Sequence, residues 1–293
     1  MNKLIVPLLI IFIATGAFAE TKIGITGSVE WDTMHIDAAI SLDLASAGVR
    51  IPAGRTHGEL LLRSGYLEMI QPYILELQID SSSTVADLID RGELSLLETE
   101  SIALGAHSLP AALSPDMRNM SASYTLALSN VSSAILRHSR PAPVSRTLNP
   151  VSSARYTGIV IIAGDNLPIH GMRNSALPVP CLFPKIWDSE MNLIYERSML
   201  ARQNVPMVRY SPLDSIFRNN PSGLSPELRE VVGDRPLRIF ARGVFGIKPT
   251  DLIIDRSDAL VIISTEENRR LLSEGRVAII LNESVLRYSF SAE

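Results

Sequence analysis

Residues 156–170 read YTGIVIIAGDNLPIH. Isoleucine and valine fill every position from Ile159 to Ile162, so both faces of an extended segment there are β-branched and apolar. A strand that is apolar on both faces must be covered on both, which makes residues 156–162 a buried central strand. The run ends at Gly164-Asp165, and His170 follows five residues later. A carboxylate and an imidazole beside a buried strand could serve chemistry, but no local motif identifies a reaction.

Further strands are expected downstream, at PLRIFARGVFG (236–246), DALVIIS (258–264) and RVAIILN (276–282). Between the last two, Thr265 can cap a helix over residues 266–272 that ends at Gly275. Strand, helix and strand in that order suggest a βαβ-like crossover. Residues 183–187 and 191–195 flank Asp188-Ser189-Glu190 as a hairpin would. ERSMLARQN (196–204) reads as a short helix, and 205–236, rich in Pro, Asn and Gly, as a long surface excursion.

Upstream, residues 22–31 and 34–44 form two apolar runs around Asp32-Thr33, a hairpin signal. A helix follows over 56–71, with Leu62, Tyr66, Met69 and Tyr73 on one stripe, and Pro72 is expected to end or kink it. Residues 75–89 read as a short strand and a turn, with Ser82 or Ser83 capping a brief helix. The type of 93–109 is left open by its periodicity. Residues 121–129 alternate as a strand, with Tyr124, Leu126 and Leu128 on one face, and a short helix over 131–137 closes the unit.

The Pro- and Ser-rich stretch HSRPAPVSRTLNPVSSARY (138–156) divides these halves as an extended linker. The fold class expected is therefore α+β, with two mixed α/β domains. The N-terminal α+β domain spans 20–138, the linker 139–155, and a strand-rich α/β domain 156–293. Residues 1–19 are read as a signal peptide: Lys3, an apolar stretch over 4–14, then Ala17-Phe18-Ala19 before the cut. A spanning helix needs about 20 apolar residues, and Gly16 and Glu20 end this run early. The expectation is a periplasmic protein, cleaved after Ala19, with no integral membrane segment after cleavage.

Cys181 is the one cysteine, so no intramolecular disulfide can form, and none stands near the cleavage point to carry a lipid anchor; the chain is read as not a lipoprotein. Its setting, LPVPCLFP, is that of a small buried hydrophobe. Lys plus Arg number 27 against 31 Asp plus Glu, a formal net charge of −4 that loss of Lys3 makes more negative. That balance offers no electrostatic attraction to nucleic acid or anionic lipid.

Chemistry finds little footing. Neither G-x-x-x-x-G-K-[ST] nor G-x-G-x-x-G occurs, so nucleotide binding has no motif, and G-x-S-x-G is absent. His35, His57, His107, His138 and His170 stand far apart, without HExxH or i, i+4 spacing. Arg55, His57 and Glu59 read as a solvated first helical turn. Alternation through DLIID would put Asp251 and Asp255 on one solvated strand face. No catalytic, cofactor-binding or metal residue is assigned, no cofactor is expected, and the chain is read as no enzyme.

The segment QIDSSSTVADLI (78–89), which follows a helix and precedes SYTLALS, resembles a family of bacterial envelope proteins that includes flagellar assembly protein P, an outer-membrane lipoprotein of the flagellar basal disk. The residues that carry the likeness are Ile79, Asp80, Ser81, Thr84, Val85 and Asp87. The second half adds YTGIVI, ALPVPCLFPKIWDSEMNLIY, RPLRIFARGV, DLIIDRSDA and RVAIIL, an order that looks like the C-terminal module of longer exported relatives. In those relatives the strand runs into an Asp-Ala-Arg-Gly loop, where this chain has Ile162-Ala163-Gly164-Asp165; the loop's charges are not kept, so Asp165 and His170 are read as turn residues. The lipidation cysteine is missing as well.

The resemblance implies a non-enzymatic exported structural or interaction protein of the envelope, flagellum-associated, whose partners are envelope or flagellar proteins or further copies of itself. The alternative is a periplasmic module that binds a glycan or peptide in a cleft between its domains, lined by Trp187, Tyr195 or Tyr210. A third reading, a hydrolase, requires His57, His170 and Asp165 to converge.

Overall fold

Alternating strands need a cover for their apolar side, and the first hairpin finds it in a long helix. β1 (Ile23–Glu30) and β2 (His35–Asp43) pair antiparallel. Ile36, Ala38, Ile40 and Leu42 of β2 are buried, while Asp37, Ala39 and Ser41 face outward. α1 (Arg55–Leu75) lays Leu62, Tyr66, Ile70 and Ile74 on the apolar side. The computed structural model describes residues 22–201, 205–216 and 223–292, so the signal peptide read at 1–19 lies outside the described residues.

α1 continues through Pro72 to Leu75 instead of stopping before it. Proline in the last turn forfeits one backbone bond, and its own carbonyl still accepts from Glu76 N–H at 3.0 Å. β3 (Gln78–Asp80) and β4 (Ser83–Thr84) form a small ladder. Thr84, one residue beyond the expected serines, caps α2 (Val85–Asp90) in a capping box with Asp87. The segment of ambiguous period contains α3 (Leu96–Leu104), started by a Ser95–Glu98 capping box. β5 (His107–Ser108) and β6 (Ala112–Leu113) both pair with β7 (Asn119–Ala127), which is followed by α4 (Leu128–Ile135).

The second unit is built around β8 (Ile159–Ile162), a central strand as its composition predicts. Ile159 and Ile161 join the main core, and Val160 joins a smaller cluster with Leu228, Val232 and Ile280 on the other face. β9 (Leu167–Pro168) and β10 (Ser175–Ala176) form a minor ladder; β11 (Ile186–Asp188) and β12 (Leu193–Tyr195) are the expected hairpin. β13 (Arg209–Pro212), α5 (Pro226–Val232), β14 (Leu237–Phe245), β15 (Asp251–Ile254), α6 (Arg256–Ser264), α7 (Glu266–Ser273) and β16 (Val277–Leu281) complete it. Strand order is β12-β11-β15-β14-β8-β16-β13. The fold is thus mixed α/β in two units, as expected.

Four expectations change. DALVIIS is α6, not a strand: Ala259, Ile262 and Ile263 are buried at helical spacing, and the chain needs a connection over the sheet from β15 to β16. Because β15 runs antiparallel to β14 whereas β14, β8 and β16 run parallel, that connection is no parallel βαβ crossover. The 205–236 stretch, partly outside the described residues, supplies edge strand β13 with buried Tyr210. ERSMLARQN yields only a 3-10 turn at Arg197–Met199, with residues 202–204 outside the described ones.

The domain boundary read at 156–293 also needs correction. β17 (Arg287–Ala292) leaves the second unit and pairs with β1, so the first sheet runs β17-β1-β2-β7-β5 and the first unit is completed by the last strand. Phe290 of β17 stacks on Tyr73 of α1 with ring centroids 3.8 Å apart. The linker is extended but docked: buried Asn268 of α7 donates to Ser153 Oγ and Ala154 O and accepts from Tyr156 N–H.

Candidate functional site

The two units meet along β3. Leu182 N–H donates to Gln78 O at 3.0 Å and Phe183 N–H to Ile79 O at 2.8 Å, and one apolar core runs through both units. Beneath this seam lies Asp251, 1% exposed at the start of β15. Its carboxylate accepts from Ser81 Oγ (3.1 Å), Lys185 N–H (3.2 Å), Thr250 Oγ1 (3.2 Å) and Trp187 Nε1 (3.4 Å). Burial pushes its pKa up, and the donors from Lys185 and Trp187 oppose that without cancelling it. The reading that put Asp251 on a solvated face fails because β15 is an inner strand, covered on both sides. Asp255 is separate from it, preceding α6 and paired with Arg242 at 2.7 Å.

Asp188, at the end of β11, is the second buried carboxylate, 0% exposed. It closes the β11–β12 turn by accepting from Asn192 N–H (2.8 Å), Asn192 Nδ2 (3.0 Å) and Glu190 N–H (3.0 Å), and it pairs with Arg256 of α6. Burial alone would raise its pKa; the hydrogen bonds from Asn192, Arg256 and Glu190 prevail and hold it below the ordinary value. The sequence reading placed Asp188 in a hairpin turn and Asp251 on a solvated face, and it missed the burial of both. The available signal was an acidic residue within or beside an apolar run, Ile186-Trp187-Asp188 and Asp251-Leu252-Ile253-Ile254.

The residues singled out in sequence do not gather. Asp165 is exposed in the bend after β8, and exposed His170 rests edge-on against Phe245, centroids 5.9 Å apart. His57 is exposed in the first turn of α1, where Arg55 pairs with Glu59 at 3.0 Å and reaches Ala111 O. His138 Nε2 lies 2.7 Å from Leu200 O. Among the described residues no group of three His, Cys, Asp or Glu is placed to hold a metal.

The proposed interdomain cleft is filled. Tyr195 and Tyr210 are buried, their hydroxyls donating to Met207 O (3.0 Å) and Cys181 O (2.8 Å). Tyr210 also meets Trp31 of the first unit edge to face, centroids 6.0 Å apart. Trp187 is half-buried and donates inward to Asp251. Cys181 is fully buried, and burial pushes its thiol pKa up, away from nucleophilic chemistry.

What stays open is the side of the first sheet opposite α1. Its outward positions are Thr26 and Ser28 on β1, Asp37 and Ala39 on β2, Ser123 and Thr125 on β7, and Arg287 and Ser289 on β17. They line a shallow depression of about 520 Å³. Thr125 Oγ1 donates to Asp37 Oδ1 at 2.6 Å, and Arg287 pairs with Glu30 at 3.1 Å. Among the described residues, no helix is long and apolar enough to cross a membrane.

No curated protein matches the chain. Residues 22–134 match the family model described as the N-terminal domain of Treponema pallidum Tp0624, and residues 158–283 match that of the second domain of the same protein. The matched ranges leave out β17 and the docked linker; the first takes in the other strands of the first sheet, and the second takes in all seven strands of the larger second sheet. In both units, and in the same order, this chain is similar to the first two domains of Tp0624.

Proposed function

We propose that this chain is a non-enzymatic interaction module of the bacterial envelope, exported and working as a rigid scaffold piece. One observation carries this reading. The buried acidic groups, Asp188 and Asp251, have their oxygens engaged by backbone, indole, hydroxyl and guanidinium donors that hold the fold, while the open surface is a hydroxyl-lined sheet face. Exposed leucines at positions 60, 96, 97 and 104 add apolar contact area. The resemblance read from residues 78–89 to the flagellar assembly protein P family is a sequence expectation, and it sets flagellar and envelope components as the first partners to search for. The test is in-cell cross-linking of the tagged protein in its native envelope, read by mass spectrometry. Recovery of envelope or flagellar scaffold proteins supports the reading, and a free monomer with no captured partner overturns it.

A second reading, capture of an envelope glycan, is favoured by the same open face. Serine and threonine hydroxyls with Asp37 and Arg287 present donors and acceptors suited to a polyol. It predicts thermal stabilisation by cell-wall fragments that Asp37→Ala abolishes. No shift at high fragment concentration removes it.

A further inference from the structure

Antiparallel strands alternate between residues whose amide and carbonyl point to one neighbour and residues whose groups point to the other. Trp31 N–H donates to Leu286 O at 2.9 Å, so 31 and 286 form a hydrogen-bonded pair. In the register of β1 with β17, the next such pairs are Val29 with Tyr288, Gly27 with Phe290 and Ile25 with Ala292. Arg287, Ser289 and Ser291 therefore turn their N–H and C=O groups to the free edge. Among the described residues, β1 is the one neighbour of β17 in its sheet.

Edges of this kind are ordinarily blunted by lysine, proline, a bulge or a covering loop. RYSFSA has none of the first three: six consecutive pairs with β1 run without a register shift, and its outward residues are exposed. Its one charge, Arg287, stands at the start and is paired with Glu30 of its own sheet.

We propose that β17 is a docking edge for a second copy of this chain, two β17 strands pairing antiparallel about a two-fold axis at Ser289. That register pairs all three edge-directed residues with one another: Ser289 with Ser289 of the other copy, and Arg287 with its Ser291 at both ends. An axis at Phe290 or Tyr288 leaves Arg287 or Ser291 facing a residue beyond the strand's six. At Ser289 the two guanidiniums fall at opposite ends of the seam. On the helix-covered face, Tyr288 of each copy meets Phe290 of the other at a non-hydrogen-bonded pair, where cross-strand side chains come closest. Tyr288 is 40% exposed in the single chain, and this contact covers it. The result is one sheet continuous through two copies.

This proposal deepens the interaction-module reading, and the two fail separately: cross-linking in the envelope tests that reading, and mass in solution tests this one. The experiment is sedimentation equilibrium of the purified exported protein from about 1 to 100 µM. The expected result is a species of twice the single-chain mass, with Ser289→Lys and Ser289→Pro each weakening it at least about tenfold while the circular-dichroism spectrum of the folded chain is kept. Both changes act on the edge, since the side chain at 289 faces solvent and its N–H makes no bond to β1. Ser289→Cys should cross-link to itself under mild oxidation, because α-carbons about 5.5 Å apart in a hydrogen-bonded pair suit a disulfide, and Ser291→Cys should not. A monomer at the highest concentration overturns the proposal, as does a dimer that both position-289 variants leave intact. Efficient self-linking through Ser291→Cys overturns the register. A monomer that binds a strand from a different protein overturns the identity of the occupant.

Discussion

Ser81 Oγ donates to Asp251 Oδ2 across 3.1 Å and 170 positions of sequence, tying the loop after β3 to the first residue of β15. This bond lies where the two units join, beside the β3 backbone contacts to Leu182 and Phe183. Asp251→Ala removes the acceptor from Lys185 N–H, Trp187 Nε1 and Ser81 Oγ together and should cost about 3 kcal/mol, whereas Ser81→Ala loses one bond and should cost about 1 kcal/mol. Urea unfolding followed by tryptophan fluorescence measures both.

The same carboxyl gives a pH signature. Its folded pKa is raised by burial above the ordinary 3.8, so the folded protein binds that proton more tightly than the unfolded chain. Its contribution is complete below 3.8 and is lost as pH rises through the folded value. Stability of the native protein relative to Asp251→Asn should therefore fall with rising pH in that window; a pH-independent difference would contradict the assignment.

Asp188 should behave oppositely. Burial raises its pKa, yet the bonds from Asn192, Arg256 and Glu190 outweigh burial and leave it depressed. Its contribution is complete above the ordinary value and is lost as pH falls through the folded one. Arg256→Ala leaves this buried carboxylate short of a charged partner; with Arg256 itself partly solvated, the loss should be about 2 kcal/mol, read from the denaturation midpoint at neutral pH.

Asn268 anchors the strap between the units. Its carboxamide also donates to Val261 O, so Asn268→Ala frees residues 153–156 and strips an acceptor from Tyr156 N–H. Limited proteolysis should then cut within 143–156 at least about tenfold faster than in the native protein, with the sheets retained.

Phe290→Ala removes the ring that stacks on Tyr73 and covers Gly27, where even a built Cβ would lie 2.5 Å from it. Loss of this half-buried aromatic should cost about 2 kcal/mol, measured by calorimetry. Deletion of residues 287–293 should cost more, since β1 then loses a whole neighbour.

Local chemistry was readable where it dominates. The hairpin at Asp32-Thr33, the Thr265 cap of α7 and the doubly apolar β8 all sit where period and capping place them. DALVIIS misled because a short β-branched run is the same string in a buried strand and in a buried helix face; the burial of Ala259, Ile262 and Ile263 at helical spacing and the required passage over the sheet decide for helix. The aromatic trio assigned to a cleft misled for a related reason. Tyrosine is amphipathic, and sequence does not reveal whether its hydroxyl meets a ligand or, as Tyr195 and Tyr210 do, a buried carbonyl.

By itself the sequence determined the class of the fold, two mixed α/β halves, because hydrophobic period, caps and breakers act over a few residues. Only the tertiary structure decided that the halves share one core, that Asp188 and Asp251 are buried, and that β17 returns to complete the first sheet and leave its edge open. Those outcomes rest on contacts between residues up to hundreds of positions apart, such as Arg287 with Ser28, and no local pattern in the chain encodes such a pairing.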